Sequence, residues 1–463
     1  MQMDSMMNHE RRRVLGLALI GVLGCGDKGG GNDEVASATM TGAEGAEANE
    51  GNEANEGNEA NAETSATESN GSANDTSTTA GNDDTSTETT AGGSEGGGPK
   101  FDLGGVPDAG GMNCGGGEQF SYLWAANSDQ GTISKIDTAT VTEVGRFAVR
   151  PDLQGSPSRT SVSLSGNVAV ANRNGGVTKI YANVDDCQES NGQPGIQTSN
   201  NNQFLPWGTE ECVAWYTPFG YTSQRPVAWA PGEYNAGTCT WDDEMLWTSG
   251  NNQNGVIDIL LLDGETGVVE ETVAIPTGGN SLLDDFFGVY GGAVDGDGNF
   301  WGSQLGGPRV VRVDRETFDY EVLTPPSNGG YGMTVDSDGM VWLCGSTAAR
   351  YNPDTQQWQT ANVNASGGCM ADADEDGLIW MAAWSSITAV NRATMAVEKT
   401  CPSPAHGISI DFEGYVWAVE MGSLVSKVDP ATCQATTYNG LVGAYTYSDM
   451  TGFALSNAGT PSG

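Results

Sequence analysis

The chain has 463 residues, with 60 Asp and Glu against 19 Lys and Arg, for a formal net charge of −41. A polyanion neither attracts phosphates nor releases their counterions on contact, so nucleic acid is excluded as a partner. The first 100 residues contain no Phe, Trp or Tyr, so any packed core must lie beyond Lys100.

The N-terminus has the form of an export signal: Arg11, Arg12 and Arg13 precede the apolar run "VLGLALIGVLG", which is too short to span a bilayer as a stable helix. The run ends at Cys25, and "VLGC" resembles the lipobox of bacterial lipoproteins. That resemblance implies a signal peptide over residues 1–24, a lipidated Cys25 and attachment to a membrane through the lipid. "RRRVL" also resembles a twin-arginine signal, and the route of export stays open. Gly26 follows Cys25, which in a Gram-negative cell points to the outer membrane or the cell surface. Residues 25–112 then run through Gly, Asn, Glu, Ser and Thr, including "GAEANEGNEANEGNEANAE". With so little apolar surface to bury, this stretch cannot offset the entropy of ordering and is expected to be a disordered acidic tether with a span of roughly 45–50 Å. Eight cysteines remain after Cys25. An even number in an exported chain suggests up to four disulfides, with the pairing open.

Beyond residue 113 the sequence repeats. "YGGAVDGDGNFWGSQ" from Tyr290, "YGMTVDSDGMVWLCG" from Tyr331, "CMADADEDGLIWMAA" from Cys369 and "HGISIDFEGYVWAVE" from His406 align without gaps, 41, 38 and 37 residues apart. That is the period of a propeller blade. Each copy has Asp at its sixth position, Gly at its ninth and Trp at its twelfth, between short apolar runs: strand, tight turn, strand. The glycines, such as Gly298, Gly339 and Gly414, supply the left-handed residue that such a hairpin needs. A second signal follows each hairpin, in "DTAT", "DGET", "DRET", "NPDT", "NRAT" and "DPAT", where an Asx side chain can accept backbone N–H bonds.

Earlier copies are degenerate, with Ala169 at one Trp position and an insertion at 183–224. "SYLWAAN" around Trp124 lacks a preceding strand, and "TGFALSNAG", Thr451 to Gly459, matches the first nine repeat positions. The sequence therefore predicts an all-β, seven-bladed propeller over 113–463, its first blade closed by a C-terminal strand. Trp124, Ala169, Trp247, Trp301, Trp342, Trp380 and Trp417 mark the seven second strands.

Counting outward from each turn places position one of every repeat at one mouth of the central channel. The residues expected there are Asn127, Ser158, Asn172, Tyr290, Gln304, Tyr331, Cys369, His406, Glu420 and Thr451, with Arg159 or Arg225 nearby. His406 falls opposite Glu420, and cross-strand Cβ atoms lie about 5 Å apart. This ring suits a small polar molecule, a peptide or a protein loop. "DADEDG" resembles a calcium loop through Asp372, Asp374 and Asp376, but Ala383 stands where the bidentate acid belongs, and a solvated turn is the favoured reading.

The repeats, with their "K[IV]D" strands, resemble the streptogramin B lyases (virginiamycin B lyases) and also NHL-type binding propellers. The lyase resemblance implies a magnesium-assisted elimination across an ester of a cyclic depsipeptide, with His406 and Glu420 in the catalytic positions. Pro404 stands where that family has a carboxylate that helps to hold magnesium, and the equivalent positions of the preceding blades hold Cys369, Tyr331 and Tyr290, so no second histidine can assist. The preferred reading is a monomeric ligand- or protein-binding module, with the lyase as the alternative.

Overall fold

A computed structural model describes residues 122–458 except 239, 279–282, 285, 306–308, 328–330, 373–376 and 448. The signal sequence, Cys25, the acidic tether, Cys114, Cys239, Asp374 and Asp376 lie outside the described residues.

Seven antiparallel sheets, hereafter blades one to seven, succeed one another along the chain. Blade one has the strands Tyr122–Asn127, Thr132–Asp137 and Thr142–Ala148, and blade two begins at Pro157–Val162. The innermost strands of the later blades are Ser223–Ala230, Gly291–Val294, Gly332–Val335, Cys369–Ala371 and Gly407–Ile410. Innermost strands of successive blades pack side by side from blade two to blade seven. Leu123 and Ala125 of blade one share a buried cluster with Trp417 and Val419 of blade seven, which closes the ring. The protein is a seven-bladed β-propeller.

The repeated residues hold the blades from inside. In blades four, five and seven, Asp295, Asp336 and Asp411 accept the indole N–H of Trp301, Trp342 and Trp417, each at 2.8 Å. The other carboxylate oxygen accepts N–H groups of the hairpin turn, as in Asp411 with Glu413 and Tyr415. One side chain thus satisfies the turn and a buried indole together, which explains why Asp and Trp recur six residues apart. Gly298, Gly339 and Gly414 have φ of 79°, 74° and 83°, as the turn requires. In blade two Ala169 leaves the tryptophan position small. Trp229 of blade three joins the same cluster and donates its indole N–H to the Ser161 carbonyl. The Asx turns also form as expected: Asp263, Asp314 and Asn391 each accept N–H and hydroxyl bonds from the Thr three residues on.

Two boundaries differ from the sequence reading. Val213–Thr217, placed within the insertion, is the outer strand of blade two. At the C-terminus the first blade is closed one segment earlier than expected. Residues 443–447, 449 and 450 run beside Trp124–Ser128, with Ser128 N–H donating to Gly443 O, Tyr445 N–H to Ala126 O and Trp124 N–H to Met450 O. Thr451 and the residues after it were expected to form this strand, but Phe453–Ala458 is a short helix, α1. The Asp449 carboxylate accepts N–H groups of Thr451 and Gly452, turning the chain out of the sheet, and Phe453 and Leu455 are buried.

Three disulfides form among the described residues: Cys187–Cys212 in the blade-two insertion, Cys344–Cys369 between blades five and six, and Cys401–Cys433 between blades six and seven. They indicate an oxidising, exported environment. No helix among the described residues is long and apolar enough to cross a membrane.

Candidate functional site

The channel has two unlike ends. At the hairpin-turn end α1 sits against the propeller: a Cβ on Gly296, in the blade-four turn, would lie 2.7 Å from the Ala458 carbonyl oxygen. Asp449, Leu455, Ser161, Val294 and Met333 line a cavity of about 40 Å³ there.

At the other end position one of the repeats presents Tyr290, Tyr331 and His406, as the register predicts. The Tyr290 hydroxyl donates to that of Tyr331 at 2.9 Å and shares a 2.7 Å hydrogen bond with that of Tyr445. A bond between Tyr331 and Tyr445 completes the triangle. The His406 ring lies 4.8 Å from Tyr331, 4.9 Å from Tyr445 and 5.1 Å from Tyr447. Tyr445 and Tyr447 were not anticipated. The signal was present in "AYTYS", because alternate residues of an extended segment face the same side; the closing strand had been sought eight residues too late.

Three guanidinium groups surround these rings. Arg159 lies 3.0 Å from the centroid of Tyr447 and 5.1 Å from that of Tyr290. Arg225 is 4.6 Å from Tyr290, and Arg173, which was not anticipated, is 4.6 Å from Tyr445. Such cation–π contacts are favourable, more so when desolvated. Burial pushes the Arg159 pKa down to about 9, which leaves it charged at neutral pH. Burial also raises Tyr290 above the ordinary phenol and Tyr331 further still, so both hydroxyls keep their protons.

His406 is 3% exposed, and its Nε2 has no hydrogen-bond partner. Burial, with the nearby charge of Arg159, lowers its pKa to about 4, so the imidazole is neutral at pH 7. His406 and Glu420 line one small hollow with Trp384, Pro404 and Met421. The Glu420 carboxylate accepts the Leu424 N–H at 3.2 Å.

Other expected mouth residues serve the framework. Asn127 donates to Thr132 and Ser134 and accepts from Val442, fixing the closing segment. Gln304 bridges to Asp284 and Gly288, and Asn172 donates to the Val149 carbonyl. All three are buried. Cys369 is in a disulfide. Thr451, expected at this mouth, instead bonds Ser409 and the Ile410 carbonyl near the blade-seven turn, because the closing strand ends before it. Asp372 accepts the Leu378 N–H as a turn aspartate. No group of three or more His, Cys, Asp or Glu suited to a metal ion occurs among the described residues.

No family model matches the sequence, and no curated protein does. Solved structures do resemble it. A catalytically inactive virginiamycin B lyase from Staphylococcus aureus with quinupristin is 13% identical, over 62% of this chain and 85% of that one, with a TM-score of 0.41. Dihydro-heme d1 dehydrogenase NirN in complex with DHE is 12% identical over 69% of this chain and 63% of that one, at 0.45. Apo AztD from Citrobacter koseri is 11% identical over 71% and 97%, at 0.47. The likeness is one of fold.

Proposed function

We propose that the chain is an exported lipoprotein, anchored through Cys25, whose propeller binds a ligand at the His406 end of its channel. The observation that supports this most is the make-up of that end. Trp384, Phe286 and Met421 are 66%, 61% and 47% exposed. Trp384 and Met421 border the His406 hollow, and Phe286 packs edge-to-face with Phe287, which contacts Tyr290 in the same way. Below them lie His406 Nε2 and the Tyr447 hydroxyl, buried and without partners. Apolar rims over a few placed polar groups are the usual form of a ligand site, and unpartnered buried polar atoms are costly unless something else pairs with them.

A ligand-observed NMR screen of small aromatic fragments against the wild type and a Trp384→Ala/Tyr331→Ala variant tests the site. Hits should lose binding in the variant; hits that bind both proteins equally would place binding elsewhere. For the anchor, Cys25→Ser should move the protein from the membrane to the soluble fraction of its host, and retention in the membrane would contradict lipidation.

A lyase is the second reading, favoured by the shared hollow of His406 and Glu420. The residues present do not fit a magnesium site: this hollow offers only those two donors, Pro404 adds none, and the Glu420 carboxylate is already engaged by a backbone N–H. Incubation with a streptogramin B and magnesium, followed by mass spectrometry for the linear product, decides it.

A further inference from the structure

Arg159, Arg173 and Arg225 come from blades two and three, and all three reach the same group of tyrosines. Arg159 and Arg225 lie within 5.1 Å of one ring centroid, that of Tyr290, and Arg173 stacks on Tyr445, whose hydroxyl bonds that of Tyr290. In a chain of net charge −41, a cluster of three cations needs an explanation.

Carboxylates do not provide it. Among the described residues, Arg146, Arg150, Lys179, Arg312, Arg392 and Lys427 form ion pairs, while Arg159, Arg173 and Arg225 form none. Lys135, Arg315, Arg350 and Lys399 also form none and bond backbone carbonyls elsewhere in the propeller, so what sets the three arginines apart is that they gather on one group of rings. Their hydrogen bonds go to neutral groups. Arg159 donates to the Tyr290 carbonyl, Arg225 to the Ser223 hydroxyl, and Arg173 to the Ser156 carbonyl and the hydroxyls of Ser128 and Ser156. Arg159 is 1% exposed, yet its Nε has no partner. The nearby phenols hold their protons and His406 is neutral, so among the described residues no internal anion is paired with the cluster.

We infer that the ligand of this mouth is a small organic anion carrying an aromatic ring, with Arg159, Arg173 and Arg225 receiving its negative charge and Trp384 and Phe286 flanking its ring. The inference rests on the mouth being a binding site and adds the chemical class. A planar guanidinium presents paired N–H donors that match a carboxylate or phosphate, and three of them in a partly dehydrated cleft focus field on an entering anion. Exposed aromatic side chains at the rim supply the stacking partners that an aliphatic anion would leave unused.

The test uses the whole propeller-bearing chain and a matched pair of probes, indole-3-acetate and indole-3-acetamide, which differ in charge but not in shape. Titration calorimetry should show the carboxylate binding at least tenfold more tightly than the amide, and that preference should shrink as salt is raised. Arg173→Gln/Arg225→Gln should abolish the preference, bringing the two affinities within twofold of each other. Should the double variant fail to fold, Arg225→Gln alone serves, since that half-buried side chain makes a single hydrogen bond, to Ser223. Equal binding of both probes to the wild type would overturn the anion assignment and leave a binding mouth standing. A carboxylate preference that survives in the variants would overturn the role of the arginines. Absence of binding by either probe would overturn this inference and count against the binding site beneath it.

Discussion

The two ends of the channel are built from the same repeat and differ in what they present to solvent and in where their cations gather. At the hairpin-turn end the repeat aspartates of blades four, five and seven accept turn N–H groups and an indole, and α1 covers part of the opening with buried Phe453 and Leu455, while Asp449 Oδ2 stays unpartnered. At the His406 end, polar atoms stay unpartnered, three guanidinium groups have no carboxylate partner among the described residues, and large apolar side chains face solvent. The first end carries a cap from the protein's own C-terminal helix. The second is chemically incomplete without something else, and that contrast supports placing function there.

The sharpest break in the comparison is expected from Asp411→Ala, which strands the Trp417 indole and two turn N–H groups and removes one of two carboxylates beside Lys427, which keeps Glu413 at 2.8 Å. Urea unfolding should show a loss of about 3–5 kcal/mol from the three stranded donors, with fragment binding at the far mouth retained. Phe453→Ala, also at the turn end, should cost about 3–4 kcal/mol by leaving a cavity in the core, again without changing the fragments that bind. At the other end, the native state holds the His406 proton more weakly than the unfolded chain does, since its pKa falls from 6.5 to about 4. That contribution to stability is complete above pH 6.5 and is lost as the pH falls toward 4. Between pH 7 and pH 4 the wild type should therefore lose about 3 kcal/mol more than His406→Leu, read from paired unfolding curves. Tyr290→Phe should be the mildest, costing about 1 kcal/mol through the lost hydroxyl bonds while weakening fragment binding; unchanged binding would show that the tyrosine triangle only supports the rim.

The fold was legible because the repeat carries its own geometry. Asp, Gly and Trp at fixed spacing specify turn, handedness and packed indole in every copy, and the register of His406, Tyr331 and Tyr290 follows by counting. The C-terminal boundary was not legible, because Gly452 mimics the start of a repeat, whereas the turn is set by the Asp449 carboxylate capping N–H groups just beyond it. That shift hid Tyr445 and Tyr447. Arg173 was missed because it lies one residue past Asn172, at a strand end where counting does not say which way a long side chain folds. Sequence alone also made no distinction between Asn127 or Gln304, which bind loops, and Tyr331, which faces the opening; the difference lies in partners supplied by distant segments.

The most direct test of where function resides is a crystal structure of the propeller soaked with small aromatic fragments, carboxylates included. The account predicts density at the His406 end, with rings against Trp384 or Tyr331 and the charged group toward Arg225. Density confined to the α1 end or the outer strands, with the His406 mouth empty, would contradict it.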